Sequence, residues 1–544
     1  MRIDSRRDEP SSSYGALTVW LFVSCLVVYI ALTRGHFWST DEIAIYQQTR
    51  SLWERGDLST ESFLNTLPGP DGKYYSPYSA GQSVLSLPLY GLGKGVHRLL
   101  ELAGAQSWIP LFAGDVIELK PAVRWGGDVE IFFVNLFNAA AVAAIAALFF
   151  ACNLRLGAGP KWSMVSTLLL AFTSHVAGFS SGYFPHPAEA LFLLWTWYFL
   201  FCDSRNPSDA SRLLAGVAAA AMVVVRVQTG VALPVLTLYL LWNLWKRAGA
   251  GSFSSRLFQT LSKSSMFLGP TLVAILLTSA INYVKFGRFD PGGGYLSLAA
   301  DQGGFENPVV AGLYGMLFSP GASIFVFSPL LICAPWYFRG FIRRLPAEGA
   351  VIFGCVLSYV FLYVKNVSNG QWCFGPRYLM ALVPLLLLPL AGWLAELRLA
   401  GRGVVAALAG VGLFIEILHF TVNVASVYSA EQYLNYVPPY SYLYIPQASQ
   451  IAAHWRALVA WDGRVDFWLL YVARHFGIYP LLWVILINAG LLWFCVGKLL
   501  RCFIAAERDY ANGIRIAFRS TECRALTLTV LGWLAIAYEA VFVH

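Results

Sequence analysis

Charge is what this sequence has least of. Asp, Glu, Lys and Arg make up 12% of its 544 residues, where a soluble protein carries about a quarter. A water-soluble globular chain is thereby excluded. Nucleotide-binding signatures are missing too. Neither G-x-x-x-x-G-K-[ST] nor G-x-G-x-x-G occurs, so ATP- or nucleotide-sugar-driven chemistry has no visible home. No internal repeat with a period of roughly 20 to 50 residues stands out. The nine cysteines show neither pairing nor metal-ligand spacing, and only Cys373 falls in a segment expected outside. That argues against a disulfide framework and against a cysteine-built metal site.

What fills the chain is apolar. It is 57% hydrophobic with a mean hydropathy of +0.59. Apolar runs of about 20 residues, enough to cross a hydrocarbon core of about 30 Å, recur along most of its length. The first, Gly15 to Thr33, follows a head carrying Arg2, Arg6 and Arg7 and ends in "RGHFW" with no small-residue cleavage site. A retained helix is therefore expected rather than a signal peptide. Spans are expected at 15–33, 130–152, 163–181, 188–202, 213–228, 231–245, 264–284, 322–338, 349–364, 378–396, 404–423, 478–497 and 525–543. The fold class is an all-α polytopic membrane protein, a bundle of about 11 to 13 transmembrane helices by span length.

Alternation from an inner N-terminus gives short inner segments that hold more than half of the 38 lysines and arginines. This is the positive-inside asymmetry. It explains the formal charge of +8 better than nucleic acid does. The outer side then receives three long segments, 34–128, 285–321 and 424–477, and short links at 184–187, 226–230 and 365–377.

The chemistry-bearing residues lie on those outer segments. "TDEIAIYQQTRSLWERGDL" reads as an amphipathic helix lying along the interface, with Thr40 or Asp41 as its N-cap. Asp41 and Glu42 have two readings, helix capping or a general base at the membrane surface, where partial desolvation raises a carboxylate's pKa. "KYYSPYSAGQSVLSLPLYGLG" clusters Tyr74, Tyr75 and Tyr78 beside Lys73. "FPHPAEA" sets His186 and Glu189 at an outer helix start, a position that suits an interface residue or a ligand. Arg226 ends an apolar helix, where an embedded cation needs a partner or a job. Arg377 follows Gly375 and Pro376 at a helix N-terminus, where backbone N–H groups and the guanidinium together suit a phosphate. Snorkelling to lipid headgroups is the plain alternative for both arginines.

In order and topology these features resemble the integral-membrane GT-C glycosyltransferases, in particular the branch of protein O-mannosyltransferases and aminoarabinose transferases acting on lipid A. The resemblance rests on the acidic "DE" soon after the first helix and on "YYSPYSAGQSVLSLPLY", "FPHPAEA", "NYVKFGRFDPGGGY", "GLYGMLFSPGASIFVFSP" and "FGPRYLMALVP". These cover the outer elements from about residue 40 to 385. They define a catalytic module, 1–425, that includes the outer loop 34–128. The remainder, 426–544, holds a Tyr/Pro-rich outer loop and C-terminal transmembrane helices and matches nothing in the family.

The resemblance implies an inverting enzyme that takes a sugar from a polyprenyl-phosphate carrier and passes it to a glycolipid, glycan or protein acceptor. Transfer would occur on the non-cytoplasmic face of the cell membrane. It implies Asp41 as the catalytic carboxylate with Glu42 as its neighbour, and places Lys73, Tyr75 and Tyr78 in the segment that helps hold donor phosphate. The chain departs from the mannosyl and aminoarabinose enzymes, which carry a Lys-Pro or Pro-Pro element where this one reads "YYSPYSAG". Their substrates are therefore not carried over. His186, Arg226 and Arg377 complete the expected substrate-binding set.

The chemistry fits from below. A phosphate leaving group needs cationic stabilisation and no general acid, and an acceptor hydroxyl needs one base. No cofactor is expected, and a divalent metal is left open, with His186 and Glu189 as contributors. Two rivals stand beside this reading. A transporter or flippase for lipid-linked glycans would use ionisable residues within spans, for which Glu416 and His419 are the candidates. A glycan polymerase or ligase would also use outer arginines.

Overall fold

The computed structural model describes residues 12–63, 65–112, 129–249, 251–301, 306–366, 373–427, 443–461 and 464–512, together with 117–118, 124–125 and 304. Twelve long helices carry the fold: α1 (Ser12–Ala31), α2 (Thr40–Arg55), α3 (Leu87–Leu102), α4 (Val129–Arg155), α5 (Pro160–Thr173), α6 (His186–Arg205), α7 (Asp209–Val225), α8 (Leu233–Arg247), α9 (Phe253–Phe286), α10 (Pro346–Tyr363), α11 (Leu399–Thr421) and α12 (Ile478–Ala511). Seven helical stretches among the described residues are long and apolar enough to cross a membrane. The pair Arg377–Leu387 and Leu390–Glu396, bent by 46° where Pro389 removes a backbone donor, makes an eighth when counted as one broken span. The chain is a polytopic helical membrane protein, as the composition requires.

Several expected spans take other forms. The run 322–338 is not one helix. Pro329 and Pro335 divide it into Ile324–Phe327, a 3-10 turn at Pro329–Cys333 and a helix at Ala334–Arg344. The run 163–181 stops at Thr173 and continues as a 3-10 turn, Gly178–Ser181. The expected span 525–543 lies outside the described residues, as does most of the Tyr/Pro-rich loop after 427.

The centre of the bundle is α4 and α6, both buried along most of their length, with Trp197 among the largest fully enclosed side chains. The segments expected on one side of the membrane meet at one end. The Trp468 N–H donates to the Thr33 carbonyl at 3.1 Å, and Lys285 Nζ donates to the Tyr78 carbonyl at 2.9 Å. The basic segments expected on the other side meet at the opposite end. There Arg212 and Arg247 pair with Asp203 at 2.7 and 3.3 Å, Arg205 pairs with Glu348 at 3.2 Å, and Ser13 bonds Asp509 at 2.6 Å.

Between α1 and α4 the chain forms a small cap domain. Strand β3 (Tyr74–Tyr75) lies between β1 (Ser59–Thr60) and β2 (Leu67–Pro68), antiparallel to both, pairing Ser59 with Tyr75 and Pro68 with Tyr74. Helix α2 lies beneath this sheet and α3. Ten of its residues, including Glu42, Ile43, Gln48 and Leu52, are buried. It is thus enclosed by protein rather than laid on lipid: Gln47 and Gln48 find partners inside the cap, and Thr49 meets the Tyr183 hydroxyl of the bundle at 3.3 Å.

Candidate functional site

The start of α2 assigns different roles to its two adjacent carboxylates. The N-cap is Ser39, neither Thr40 nor Asp41. Its backbone is extended (φ −122°, ψ 144°), and its hydroxyl accepts the Asp41 N–H at 3.2 Å. Glu42 reaches back to accept the N–H groups of Trp38 and Ser39 at 3.0 and 3.1 Å, closing a capping box. Its other oxygen accepts the Tyr183 N–H. A Cβ at position 182 would sit 2.7 Å from that oxygen, which is why a glycine precedes Tyr183. Burial raises the Glu42 pKa, while the three backbone donors oppose that rise. Glu42, expected beside Asp41 at the reacting centre, is instead fully buried and saturated by backbone.

Replacing Glu42 by Gln should therefore act on stability first. One backbone donor is left facing an amide NH2, a loss of about 1–3 kcal/mol for an unsatisfied buried group. The expected readout is a lower denaturation midpoint with residual activity in the folded fraction. An unchanged midpoint would remove Glu42 from the scaffold.

Asp41 is released from capping and points into a polar cluster. Its Oδ1 accepts Tyr78 OH at 2.6 Å and Asn65 Nδ2 at 3.0 Å, and its Oδ2 accepts Arg377 NH1 at 2.8 Å. The Asp41 and Arg377 side chains are only 15% and 11% exposed, so this pair is shielded from bulk water but reachable. Asn65 adopts a left-handed conformation (φ 66°), which asparagine tolerates better than most residues. The Tyr78 hydroxyl is pushed well above its ordinary pKa by burial and by the Asp41 charge, so it stays a proton donor to Asp41.

Tyr78 is held from behind by Lys285. That ammonium is fully buried and donates to the Tyr78 carbonyl and, at 3.1 Å, to Gln48 Oε1. Both of these acceptors are neutral, so Lys285 is a buried amine braced behind the site. In sequence, "NYVKFG" does not mark its lysine as a site residue. A single basic residue at the end of a helix that long was the available signal.

Arg226 joins from another part of the chain. It pairs with Glu189 at 2.7 Å, and Glu189 also accepts Tyr359 OH at 2.7 Å. The Arg226 and Arg377 guanidinium groups each lie 5.3 Å from the centroid of the Tyr378 ring, a separation suited to cation–π attraction. His186 packs beside the same ring, 6.3 Å away, and both its ring nitrogens are buried with no hydrogen-bond partner. Glu189 is engaged by Arg226 and Tyr359, so the pairing of His186 with Glu189 around a metal does not form. Arg377 Nε is also buried and unpartnered.

Of the expected site residues, Asp41, Tyr78 and Arg377 are in direct contact, and Arg226 and His186 join them around Tyr378. Lys73 and Tyr75 are not brought in. Lys73 is 55% exposed and pairs with Asp57 at 3.2 Å. Tyr75 is buried in the sheet and donates to Asp71 at 2.7 Å, and burial together with the Asp71 charge raises its pKa to about 12.

Fold and site define a polytopic membrane protein with a shielded carboxylate–arginine centre at one end of its helical bundle. No protein-family profile matches the sequence, and no curated protein does. Among solved structures the chain is similar to ArnT from Cupriavidus metallidurans in the apo state, at 16% identity and a TM-score of 0.45, over 92% of this chain and 78% of that one. The same protein bound to undecaprenyl phosphate gives 13% identity and 0.41, over 91% and 76%. The archaeal oligosaccharyltransferase AglB from Archaeoglobus fulgidus, in complex with an inhibitory peptide and a dolichol-phosphate, gives 10% and 0.41, over 80% and 60%.

Proposed function

We propose that this chain is an inverting glycosyltransferase that moves a sugar from a polyprenyl-phosphate donor to an acceptor on the non-cytoplasmic side of the cell membrane. The observation that carries the reading is the Asp41–Arg377 pair. Ser39 and Glu42 cap α2, so Asp41 is spared that duty, yet three donors orient it in a shielded recess. Arg377 uses NH1 on Asp41 and keeps Nε unpartnered, so one guanidinium can hold the base and a phosphate oxygen together. Arg226 adds a second cation near Tyr378.

In this mechanism the donor's phosphate lies on Arg377 and Arg226 while its lipid tail stays in the bilayer. Asp41 Oδ2 accepts the proton of the acceptor hydroxyl as that oxygen attacks the anomeric carbon. The carbon–oxygen bond to phosphate breaks, its electron pair goes to the leaving phosphate oxygen, and the arginines stabilise the charge that develops there. A phosphate acceptor would need no base, and Asp41 would then orient it. The activity test is release of polyprenyl phosphate from a synthetic lipid-phosphate sugar by the purified protein. Mass spectrometry of envelope glycolipids, wall glycans and glycoproteins with and without the gene identifies the acceptor. Passage of a lipid-linked glycan across vesicles with no transfer product would instead establish the transporter reading.

Sidedness has its own test. A reporter fused after Glu61 or Pro308 should be outside, and one after Arg256 or Arg344 inside, as the lysine and arginine asymmetry requires. A cytoplasmic reporter at 61 would overturn both the topology and the placement of the reaction.

A further inference from the structure

Glu416 and His419 stand out in the sequence as ionisable residues inside an apolar run, and the transfer chemistry uses neither. They are one helical turn apart on α11, so they share a face. The fold brings a third group to them from far away in sequence: His175, just past the end of α5. All three are buried, and one ligand atom from each lies within 4.8 Å of the others. His175 Nδ1 is 4.0 Å from Glu416 Oε1, and His419 Nδ1 is 3.8 Å from Glu416 Oε2.

Those separations are too long for hydrogen bonds. His175 Nδ1, Glu416 Oε1 and His419 Nδ1 are each buried without a hydrogen-bond partner, although buried polar atoms nearly always have one. Glu416 Oε2 is fixed separately by the Gly178 N–H at 2.7 Å. Three orphaned atoms converging on one point, two imidazole nitrogens and a carboxylate oxygen, form a ligand set rather than a hydrogen-bond network. Ligands about 2.0–2.2 Å from a tetrahedral ion stand roughly 3.3 Å apart, and small side-chain rotations close the difference.

We infer that His175, Glu416 and His419 bind one divalent transition-metal ion of the zinc type, for which two imidazoles and a carboxylate are a fitting donor set. The ion satisfies the three orphaned atoms together and compensates the buried Glu416 charge. Its place in the fold gives it a structural role. His419 packs 4.8 Å from the Phe374 ring, and a Cβ at Gly375 would lie 2.5 Å from His175 Cε1. The site thus backs the turn that delivers Arg377 two residues later. Arg34 fastens the same end of α11 through the carbonyls of His419 and Val422. This inference is independent of the sugar-transfer reading.

The test is the metal content of the full-length protein in detergent, purified with no polyhistidine tag and incubated with Zn2+ before gel filtration. About one zinc per chain is expected, with X-ray absorption showing histidine among its ligands. Glu416→Gln and His419→Gln, kept only if monodisperse, should fall to background, whereas Asp41→Asn should keep its zinc. A membrane-permeant chelator should lower the denaturation midpoint of the parental protein. Parental protein holding under about a tenth of an equivalent, zinc without histidine ligation, or full zinc in a folded Glu416→Gln would each overturn the site.

Discussion

Asp41→Asn is expected to cut sugar transfer by about 10²-fold or more while leaving the fold and donor binding near normal. The helix start survives because Ser39 and Glu42 supply its cap. The amide also survives among its neighbours. Its oxygen can face Arg377, and its NH2 can donate to the Tyr78 hydroxyl, which accepts as well as donates. Basicity is lost, together with one acceptor for Asn65 Nδ2, which keeps its other bond to Thr40 Oγ1 at 2.7 Å. Transfer from a lipid-phosphate sugar and thermal denaturation, measured on the same preparation, separate the two effects. Transfer at the parental rate would take the proton-accepting role away from Asp41.

Arg377→Ala is expected to weaken binding of the donor's phosphate by roughly ten- to a hundredfold, the equivalent of losing a charge-assisted hydrogen bond. Part of that loss comes through Asp41, which the variant leaves without its 2.8 Å partner. A double-mutant cycle with Asp41→Asn isolates the phosphate contribution. Arg377→Lys should restore binding only in part, because a point charge replaces a planar fork that reaches carboxylate and phosphate together. Titration of the detergent-solubilised protein with a polyprenyl phosphate measures each variant. Unchanged affinity in Arg377→Ala would remove it from the donor site.

The sequence made the long-range features legible where residue type and position were distinctive. An arginine at the end of an apolar helix is costly without a role, so Arg226 and Arg377 stood out, and the structure brings both to Tyr378. Tyr78 was likewise legible from its aromatic cluster and bonds Asp41. Composition cannot separate neighbours of one chemical type. Asp41 and Glu42 look alike in sequence, yet successive helical side chains diverge by about 100°, which sends one to backbone and the other to the recess. Lys73 stands out in sequence beside its tyrosines and Lys285 does not, yet the fold leaves the first half in solvent and encloses the second. His175 lies so far in sequence from Glu416 that only tertiary packing brings them together. Pro329 and Pro335 were visible throughout, but hydropathy over 322–338 outweighed them.

The two ion pairs of the centre, Asp41 with Arg377 and Glu189 with Arg226, cancel in charge, and this bears on the direction of turnover. In the proposed reaction the donor arrives as a phosphodiester with a single negative charge, which two guanidinium groups already sharing carboxylates can accommodate. The spent carrier is a phosphomonoester of about −1.5 to −2 at neutral pH, and once Asp41 has passed the acceptor's proton to water that phosphate again faces a carboxylate 2.8 Å from the same arginine. On the proposed reaction, transfer followed by loss of that proton would convert a tolerated ligand into an over-charged one, and the repulsion would fall on the product alone. In that reaction the two paired arginines would work as an ejector, discharging the empty carrier into the bilayer and clearing the site for the next donor.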